Sequence, residues 1–357
     1  MWGVLMDLEN YSNRARPFFI RELLHAYSDE EHELTTNEIV GLLDAHYGIR
    51  TQRTRIASDI RLLDAIEDQK DRAKDPDSTG RARVEYLADS DPGRQTRYRM
   101  LGRRFEPVEI KLLIDAVHSS LFLSEQKSEE LTDRLLGLLS SYQAEEVRST
   151  VVDNELLKPG NEKIMYIVDA LMRAILHKRT VSFPYFRYDL MKRQVARNDS
   201  HSYVVSPYAL VWNSDHYYLI AYSEKHQAIS HFRVDRISET PEPLDAPFVP
   251  LPEGFDLARY KSTMFHMYSS RRAVVELACD ESVTDSIVDR FGRDVDTGLI
   301  NDRTFSVTAE VAVNHIFFSW IFGFGGKVRI LGPADVLSEY ADMLLASARH
   351  LTEAFEL

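Results

Sequence analysis

The amino-acid sequence predicts a multidomain α+β protein with an N-terminal winged helix-turn-helix, a helical connector, a small β-barrel and a C-terminal α/β sandwich. Three patterns support this fold class. Short amphipathic helices precede a two-strand pattern, short aromatic strands follow one another without helices, and strands then alternate with helices. At 357 residues the chain is too long for one ordinary core.

Changes in composition place the boundaries between these parts. We expect a DNA-binding domain over residues 1–105, a connector over 106–164, a barrel over 165–240, a linker over 241–254 and a closing domain over 255–357. The linker segment has five prolines in fourteen residues, which favours an extended chain.

Three helical patterns open the chain. Thr35 and Glu38 fit a capping box at the start of the second helix, and Gly48 stands beyond its end. The third helix carries an apolar stripe at helical spacing: Ile56, Ile60, Leu63 and Ile66. Because a tight turn joins the second and third helices, the pattern is that of a helix-turn-helix.

A β-hairpin pattern, VEYL and TRYRML around a turn-rich segment, directly follows the third helix and predicts a wing. The wing is rich in arginine: Arg81, Arg83, Arg94, Arg97, Arg99, Arg103 and Arg104. Residues 45–105 hold 14 basic and 10 acidic side chains, whereas the whole chain has a net charge of −13. The local excess indicates either a polyanion-binding surface or a solvated face with chance clustering.

The start of the third helix carries side chains suited to reading DNA, with Thr51 as the expected N-cap. In the major groove arginine pairs with guanine and glutamine with adenine, while wing arginines would contact phosphates. The candidate DNA-binding residues are Thr51, Gln52, Arg53, Thr54, Arg55, Ser58, Arg61, Arg81, Arg83 and Arg97. The alternative is an ordinary exposed helix start.

Alternation along the barrel strands assigns side chains to faces. Phe232 is expected in the core and Arg233 on the opposite face, while Leu219 and Ile220 indicate a strand buried on both sides. Arginine and tyrosine together suit an anionic ligand that bears a base. The candidate ligand contacts are Tyr203, Ser206, Tyr218, His231, Arg233 and Arg236.

Salt bridges within the motif are the structural alternative for the two arginines of this set, most simply to Asp235 or Glu239. Arg236 is favoured for that structural role because it shares the parity of the core side. Some of the tyrosines are equally expected to be core residues with a satisfied hydroxyl.

At this point the chain resembles the WYL-domain transcriptional regulators of bacteria over nearly its whole length. The N-terminal match is TQRTRIASDIRLLD at Thr51–Asp64, and the C-terminal match is DRFG, a Trp-Phe-Gly pattern and ILGP. In the central part the naming triplet is Tyr217-Tyr218-Leu219, with Tyr217 where Trp is usual. The FRLDRI signature is Phe232–Ile237, with Val in place of Leu.

The resemblance implies that the barrel is an Sm/SH3-like WYL domain sensing a nucleotide or nucleic-acid ligand, and that the C-terminal part is a WCX-like dimerisation domain. Members of this layout include regulators of phage-defence operons and DNA-damage-responsive regulators, so a regulator of such an operon is expected, with a repressor preferred and an activator left open. Two-fold protein symmetry would match an inverted repeat. The apolar segment HIFFSWIFGFG and the connector are candidates for the homodimer interface.

Other classes lack support in the sequence. The single cysteine, Cys279, excludes an intramolecular disulfide and a multi-cysteine zinc site. Phosphate-loop, dinucleotide, metalloprotease and hydrolase motifs are absent, so no enzyme activity, cofactor or metal is expected. No apolar run has transmembrane length, and the acidic N-terminus is unlike a secretory signal, which makes a cytoplasmic protein the expectation. An RNA- or single-strand-binding accessory protein is the alternative function, ahead of a nucleotide-processing enzyme.

Overall fold

The computed structural model describes residues 12–74, 83–87, 96–152, 162–198, 201–213, 216–253, 255, 260 and 271–355. Two of the predicted wing arginines, Arg81 and Arg94, lie outside these residues. The chain divides into two compact units, residues 1–160 and 161–357. Within the described residues, no helix combines the length and the apolar character needed to cross a membrane.

The first unit follows the predicted order of three helices, a hairpin and further helices. Its elements are α1 (Ser12–Tyr27), β1 (Leu34–Thr35), α2 (Thr36–Tyr47), α3 (Arg53–Lys74), β2 (Arg83–Leu87), β3 (Arg97–Leu101), α4 (Pro107–His118), α5 (Glu125–Leu136) and α6 (Ser141–Ser149). Strands β2 and β3 form the predicted antiparallel hairpin, and the short strand β1 extends it to a sheet of order β1-β3-β2.

Local sequence signals explain the ends of α2. The Thr35 side chain accepts a hydrogen bond from the Glu38 backbone, and the Glu38 side chain accepts one from the Thr35 backbone, so the predicted capping box is present. Gly48 ends the helix in the left-handed conformation, with φ of 67°. The apolar stripe of α3 is buried only as far as Leu63, because Ile66 is 38% exposed.

The second unit begins with one helix and a set of short strands. These elements are α7 (Ile164–Leu176), β4 (Val181–Phe183), β5 (Phe186–Tyr188), β6 (Gln194–Ala196), β7 (Tyr203–Asn213), β8 (His216–Ser223), β9 (Ala228–Arg233), a 3-10 helix (Val234–Arg236) and β10 (Glu242–Pro243). Strands β5 and β6 pair only with each other, and the remaining strands form one sheet of order β10-β4-β7-β8-β9.

This five-stranded sheet is open rather than the closed barrel that was expected. Among the described residues its terminal strands β9 and β10 do not pair, since β9 gives way to the 3-10 helix and β10 has only two residues. An isolated antiparallel bridge joins Tyr185, which follows β4, to Ile237, which follows the 3-10 helix. The prediction for β8 is confirmed: Leu219, Ile220 and Ala221 are all fully buried.

The C-terminal part of the second unit is an antiparallel sheet of order β12-β13-β11-β14 with three helices. Its elements are β11 (Arg272–Asp280), a 3-10 helix (Glu281–Val283), α8 (Thr284–Phe291), β12 (Asp296–Asn301), β13 (Thr304–Ala312), α9 (His315–Phe322), β14 (Val328–Gly332) and α10 (Ala334–Phe355). Val275, Leu277, Phe317 and Ile321 belong to its buried core. The sequence pattern did not predict strand β12.

Candidate nucleic-acid interface and ligand site

Helix α3 begins at Arg53, two residues after the threonine that was predicted as its N-cap. The Thr51 hydroxyl is buried and has no hydrogen-bond partner among the described residues, so it does not cap the helix. The side chains of Gln52, Arg53, Thr54 and Arg55 are exposed at this helix start. Sequence reasoning therefore placed the polar run correctly and its cap incorrectly.

The opposite side of α3 fixes the direction in which this polar run points. Ile56 and Ile60 are fully buried in the core of the first unit. Between them on the helix, the buried Asp59 accepts a hydrogen bond from Arg16 Nε of α1 at 2.5 Å. This ion pair and the apolar stripe anchor α3, and they leave Ser58 and Arg61 exposed.

The wing arginines serve different purposes. Arg97 is exposed and lies 3.6 Å from a Glu33 carboxylate oxygen. Arg99 instead donates to the Glu30 carbonyl at 2.9 Å, and Arg103 donates to the carbonyls of His25 and Ser28 at 2.6 Å each. Burial lowers the pKa of Arg103. Arg99 and Arg103 thus connect the wing and the residues after it to the end of α1 and the loop that follows.

Two ligand candidates of the second unit are largely inaccessible. Tyr203 is 3% exposed, and its ring packs edge-on against Phe232 and Tyr185, with centroid distances of 5.1 and 5.8 Å. Ser206 is 2% exposed, and its Oγ accepts a hydrogen bond from the Val249 backbone at 2.9 Å. Tyr203 is therefore part of an aromatic core, and Ser206 links the segment after β10 to β7 by a hydrogen bond.

The two arginines of the FRVDRI segment have different surroundings, and the salt bridge to Asp235 that was the structural alternative is formed by Arg233. Arg233 donates from Nε and Nη2 to both carboxylate oxygens of Asp235, at 3.1 and 2.7 Å. The Nε of Arg236 is buried and has no hydrogen-bond partner among the described residues. Strand alternation failed here because the chain turns into a 3-10 helix after Arg233, which brings Asp235 back beside it.

A buried tyrosine hydroxyl marks the surroundings of Arg236. Tyr185 Oη accepts a hydrogen bond from the Arg233 backbone at 3.0 Å. Burial raises the pKa of Tyr185 to about 12, while the charges of Arg236 and Arg197 act in the opposite direction. Arg197, whose backbone N–H donates to the Tyr185 carbonyl at 2.8 Å, was not among the sequence candidates. Both arginines are therefore within electrostatic reach of one hydroxyl.

The register of β8 and β9 divides the remaining candidates. Tyr218 pairs with Arg233 and Ile220 with His231, so Tyr218, His231 and Arg233 share one face of the sheet. The His231 ring lies 5.6 Å from that of Tyr260. Tyr203 packs on the other face with Phe232, so the six candidates do not form one cluster.

Comparison with known protein families identifies two domains in the second unit. The sequence matches the family model of the WYL domain over residues 166–241 and that of the WCX domain over residues 270–348. This confirms that the chain contains a WYL domain followed by a WCX domain, the two C-terminal parts of the layout that its sequence resembles. All six ligand candidates lie inside the WYL segment, and helix α3 lies outside both matched segments.

Two solved structures show more distant likeness. Proteasome accessory factor B/C (PafBC) of Arthrobacter aurescens is 17% identical, with a TM-score of 0.28, and the match covers 92% of this chain and 47% of that one. This chain thus spans about half the length of that protein. A CRISPR Cas-related protein is 13% identical, with a TM-score of 0.35 and coverages of 99% and 88%. The search of curated proteins finds no match.

The WYL segment also contains a feature that sequence reasoning missed, the two-stranded ribbon β5–β6, here called the β5–β6 arm (186–196). Leu190 and Met191 at its tip are 104% and 75% exposed, and Tyr188 is 51% exposed. Four cationic side chains of this region are exposed as well: Arg187, Lys192, Arg193 and Arg197. The segment FRYDLMKRQVAR combines four basic residues with apolar ones, which was the available signal.

The turn of the β5–β6 arm is held by Asp189. Its carboxylate accepts hydrogen bonds from the backbones of Arg193 and Met191 at 2.9 Å each, and from the Arg193 guanidinium. The backbone and side-chain bonds of Arg193 hold the pKa of Asp189 below its usual range. The one acidic side chain of the arm is thus engaged within the turn, and the arm presents an apolar tip flanked by positive charge.

Proposed function

We propose that this chain is a ligand-responsive regulator that binds DNA sequence-specifically through the start of α3 and the β2–β3 hairpin. The observation that carries the proposal is α3 itself. Its apolar stripe and the Arg16–Asp59 ion pair fix one side, so the exposed Gln52, Arg53 and Arg55 project from a rigid helix start. Those residue types pair with base edges in the major groove.

In its specific form, the proposal is a repressor that binds an inverted repeat as a homodimer and controls a phage-defence or DNA-damage-related operon. A two-fold symmetric dimer would present two copies of the α3 start. The two copies would be related by the same two-fold symmetry as the two halves of an inverted repeat. Resemblance to a regulator family favours a binding role over catalysis.

The proposed effector is a nucleotide or oligonucleotide that binds the WYL domain by a phosphate. Arg236 supports this, because a buried guanidinium Nε without a partner among the described residues is costly and a phosphate oxygen would satisfy it. Arg197 adds a second cation near the same tyrosine hydroxyl. Tyr218, His231 and Arg233 are proposed to contact the rest of the ligand from the neighbouring strands.

The test is binding of the full chain to DNA upstream of its own gene, measured by fluorescence anisotropy over a salt series. The double variant Arg53→Ala/Arg55→Ala should lose preference for the upstream sequence, since each base contact contributes about 1–3 kcal/mol. Arg97→Ala is the matched control, an exposed wing arginine. It should weaken all DNA alike and reduce the salt slope by about 1.

Wild-type affinity that follows ionic strength but not sequence would contradict the proposal. The β5–β6 arm then favours a second function, an RNA- or single-strand-binding accessory protein with the WYL domain as its main site. Exposed Tyr188 offers a ring on which a base can stack, and the flanking cations suit a phosphate backbone. In that case Tyr188→Ala/Leu190→Ser should reduce binding of single-stranded oligonucleotides, while Arg53→Ala/Arg55→Ala should not.

A further inference from the structure

The proline-rich segment that follows β10, residues 244–253, lies along the WYL sheet and is here called the strap. It begins where the Leu244 backbone N–H donates to the Thr180 carbonyl at 2.8 Å. The Thr180 hydroxyl then donates to the Pro247 carbonyl at 2.9 Å. Because proline has no backbone N–H, such a segment cannot extend the sheet as an ordinary strand, and side-chain hydroxyls supply hydrogen bonds instead.

Strand β7 holds the next part of the strap. Ser206 Oγ accepts a hydrogen bond from the Val249 backbone at 2.9 Å. The Tyr208 hydroxyl donates to the Val249 carbonyl at 2.9 Å and lies 3.3 Å from the Pro250 carbonyl oxygen. The Tyr208 ring also packs edge-on against Phe248, with a centroid distance of 6.0 Å. Both the hydroxyl and the ring of Tyr208 therefore keep the strap in place.

The strap covers part of the sheet face that carries effector candidates. Tyr218 points to the same side of β8 as Ile220, because alternate residues of a strand share a face. Ile220 is fully buried, and Phe248 and Leu251 of the strap belong to the same hydrophobic cluster as Ile220 and Tyr218. A ligand that approaches Tyr218 from this face therefore meets the strap.

Beyond the strap, Tyr260 occupies the same face beside His231. Tyr260 is 6% exposed, and its ring lies 5.6 Å from the His231 ring and 4.9 Å from the ring of Phe255. The Arg272 guanidinium lies 5.5 Å from the centroid of the Tyr260 ring, and Arg272 begins β11 of the WCX segment. One tyrosine ring thus contacts both an effector candidate and the WCX segment.

We infer that the strap is a gate, which competes with the effector for the face of Tyr218 and His231 and is displaced when the effector binds. The inference rests on the effector site of the proposed function and adds its regulation. Since the effector binds the open form alone, the contacts that close the strap lower the apparent affinity. Tyr260 joins Phe255 to Arg272, so displacement of the strap reaches the WCX segment.

The first test compares Tyr208→Phe with Tyr222→Phe. Tyr208→Phe removes the hydroxyl that holds the strap, whereas the Tyr222 hydroxyl donates to Gln227 of its own hairpin at 2.9 Å. Binding of a fluorescein-labelled single strand of oligothymidylate is measured by anisotropy in the Arg53→Ala/Arg55→Ala background, which removes base contacts by α3. Tyr208→Phe should bind roughly fivefold more tightly, because the loss of one hydrogen bond favours the open form. Tyr222→Phe should bind as the background protein does.

The second test follows the strap itself by hydrogen–deuterium exchange. Saturating oligothymidylate should speed exchange of the Val249 amide, which loses its bond to Ser206, and of the first amides of β11. Peptides from β14 supply the reference. Phe248→Ala lies on the strap, outside the strands of the WYL sheet. It should speed exchange of the strap without the oligonucleotide and should also tighten binding.

The outcomes separate the gate from the effector site. Unchanged affinity in Tyr208→Phe and Phe248→Ala, with strap exchange unaffected by the oligonucleotide, would overturn the gate alone. Weaker binding by both variants would overturn it as well, because the strap would then be part of the binding surface. Faster exchange confined to the strap would overturn the connection to β11. Failure of the background protein and of both loosened variants to bind would overturn the gate and the proposed effector together.

Discussion

The start of α3 and the FRVDRI segment both carry the arginines expected of a polyanion site, but they hold them differently. On α3 the fixing contacts lie on the opposite side of the helix, through buried isoleucines and the Arg16–Asp59 pair, so Arg53 and Arg55 remain exposed. In the WYL segment, Arg233 itself is engaged in a bidentate pair with Asp235. An arginine in such a motif can thus be accessible to a ligand or can stabilise the fold through an ion pair. The contacts of its side chain distinguish the two cases.

The largest effect is expected where the support of α3 is removed. Asp59→Ala leaves the buried Arg16 without its carboxylate, which should cost about 3–5 kcal/mol. Hydrogen–deuterium exchange resolved by peptide should show the loss in α1 and α3, with protection of β7 and β8 unchanged, because the two units are separate. Uniform loss across both units would mean that the α3 support is not local.

An intermediate effect is expected from the corresponding change in the WYL segment. Asp235→Asn keeps the shape of the side chain but removes the charge that Arg233 faces, and should cost about 1–3 kcal/mol. Arg236→Gln is the matched control and should not destabilise the unit, because the buried Nε has no hydrogen bond among the described residues to lose. Trp212 and Trp320 both lie in the second unit, so urea unfolding followed by tryptophan fluorescence should measure both variants.

The same pair of variants sharpens the assignment of roles. If Arg236 contacts an effector phosphate, Arg236→Gln should weaken oligonucleotide binding without loss of stability. Asp235→Asn should lower the free energy of unfolding. Its oligonucleotide affinity, measured at low temperature where the variant is still folded, should stay close to that of wild type. The reverse pattern would return Arg236 to the structural role that strand alternation gave it.

The difference between the two regions also explains what the sequence predicted. The capping box of Thr35 and Glu38 and the terminal Gly48 are signals that act within a few residues, and all three are observed. The double-sided burial of Leu219 and Ile220 follows equally from alternation along one strand. Signals of this range depend on the local chain alone, so they survive in any tertiary context.

Contacts between distant segments left no such signal. Arg99 and Arg103 look like DNA contacts in the sequence, but their acceptors are carbonyls 69 to 78 positions away. Strand β12 was missed because all its residues are exposed, which removes the apolar–polar alternation that marks a half-buried strand. The pairing of Arg233 depends on a 3-10 turn that strand alternation does not foresee.

A smaller effect is expected at the start of α2, the helix whose other end leads into the turn before α3. Thr35→Ala removes one half of the capping box and should cost about 1 kcal/mol. The loss should appear as faster exchange of the first-turn amides of α2. Thr36→Ala is a suitable control, because that hydroxyl takes no part in the capping box and donates to the Thr96 carbonyl at 3.4 Å. Equal effects of the two substitutions would contradict the capping role.

The smallest effect concerns pH and lies at Asp29, in the loop after α1. Its carboxylate accepts hydrogen bonds from Ser140 Oγ at 2.5 Å and from the His32 backbone and ring, and so joins this loop to α6. Burial alone would raise the pKa of Asp29, but the bonds from Ser140 and His32 outweigh it, and the pKa falls below the ordinary value of 3.8.

Because the folded-state pKa is lower than the unfolded one, Asp29 stabilises the first unit above pH 3.8, and this stabilisation is lost as the pH falls through the folded value. Wild type should therefore lose protection in α1 and α6 more steeply below pH 3.8 than Asp29→Asn, which cannot titrate. Peptides from β11 and β13 supply the internal reference. A parallel decline in both proteins would show that other carboxylates govern acid unfolding of this unit, and that the link between Asp29 and Ser140 does not contribute to it.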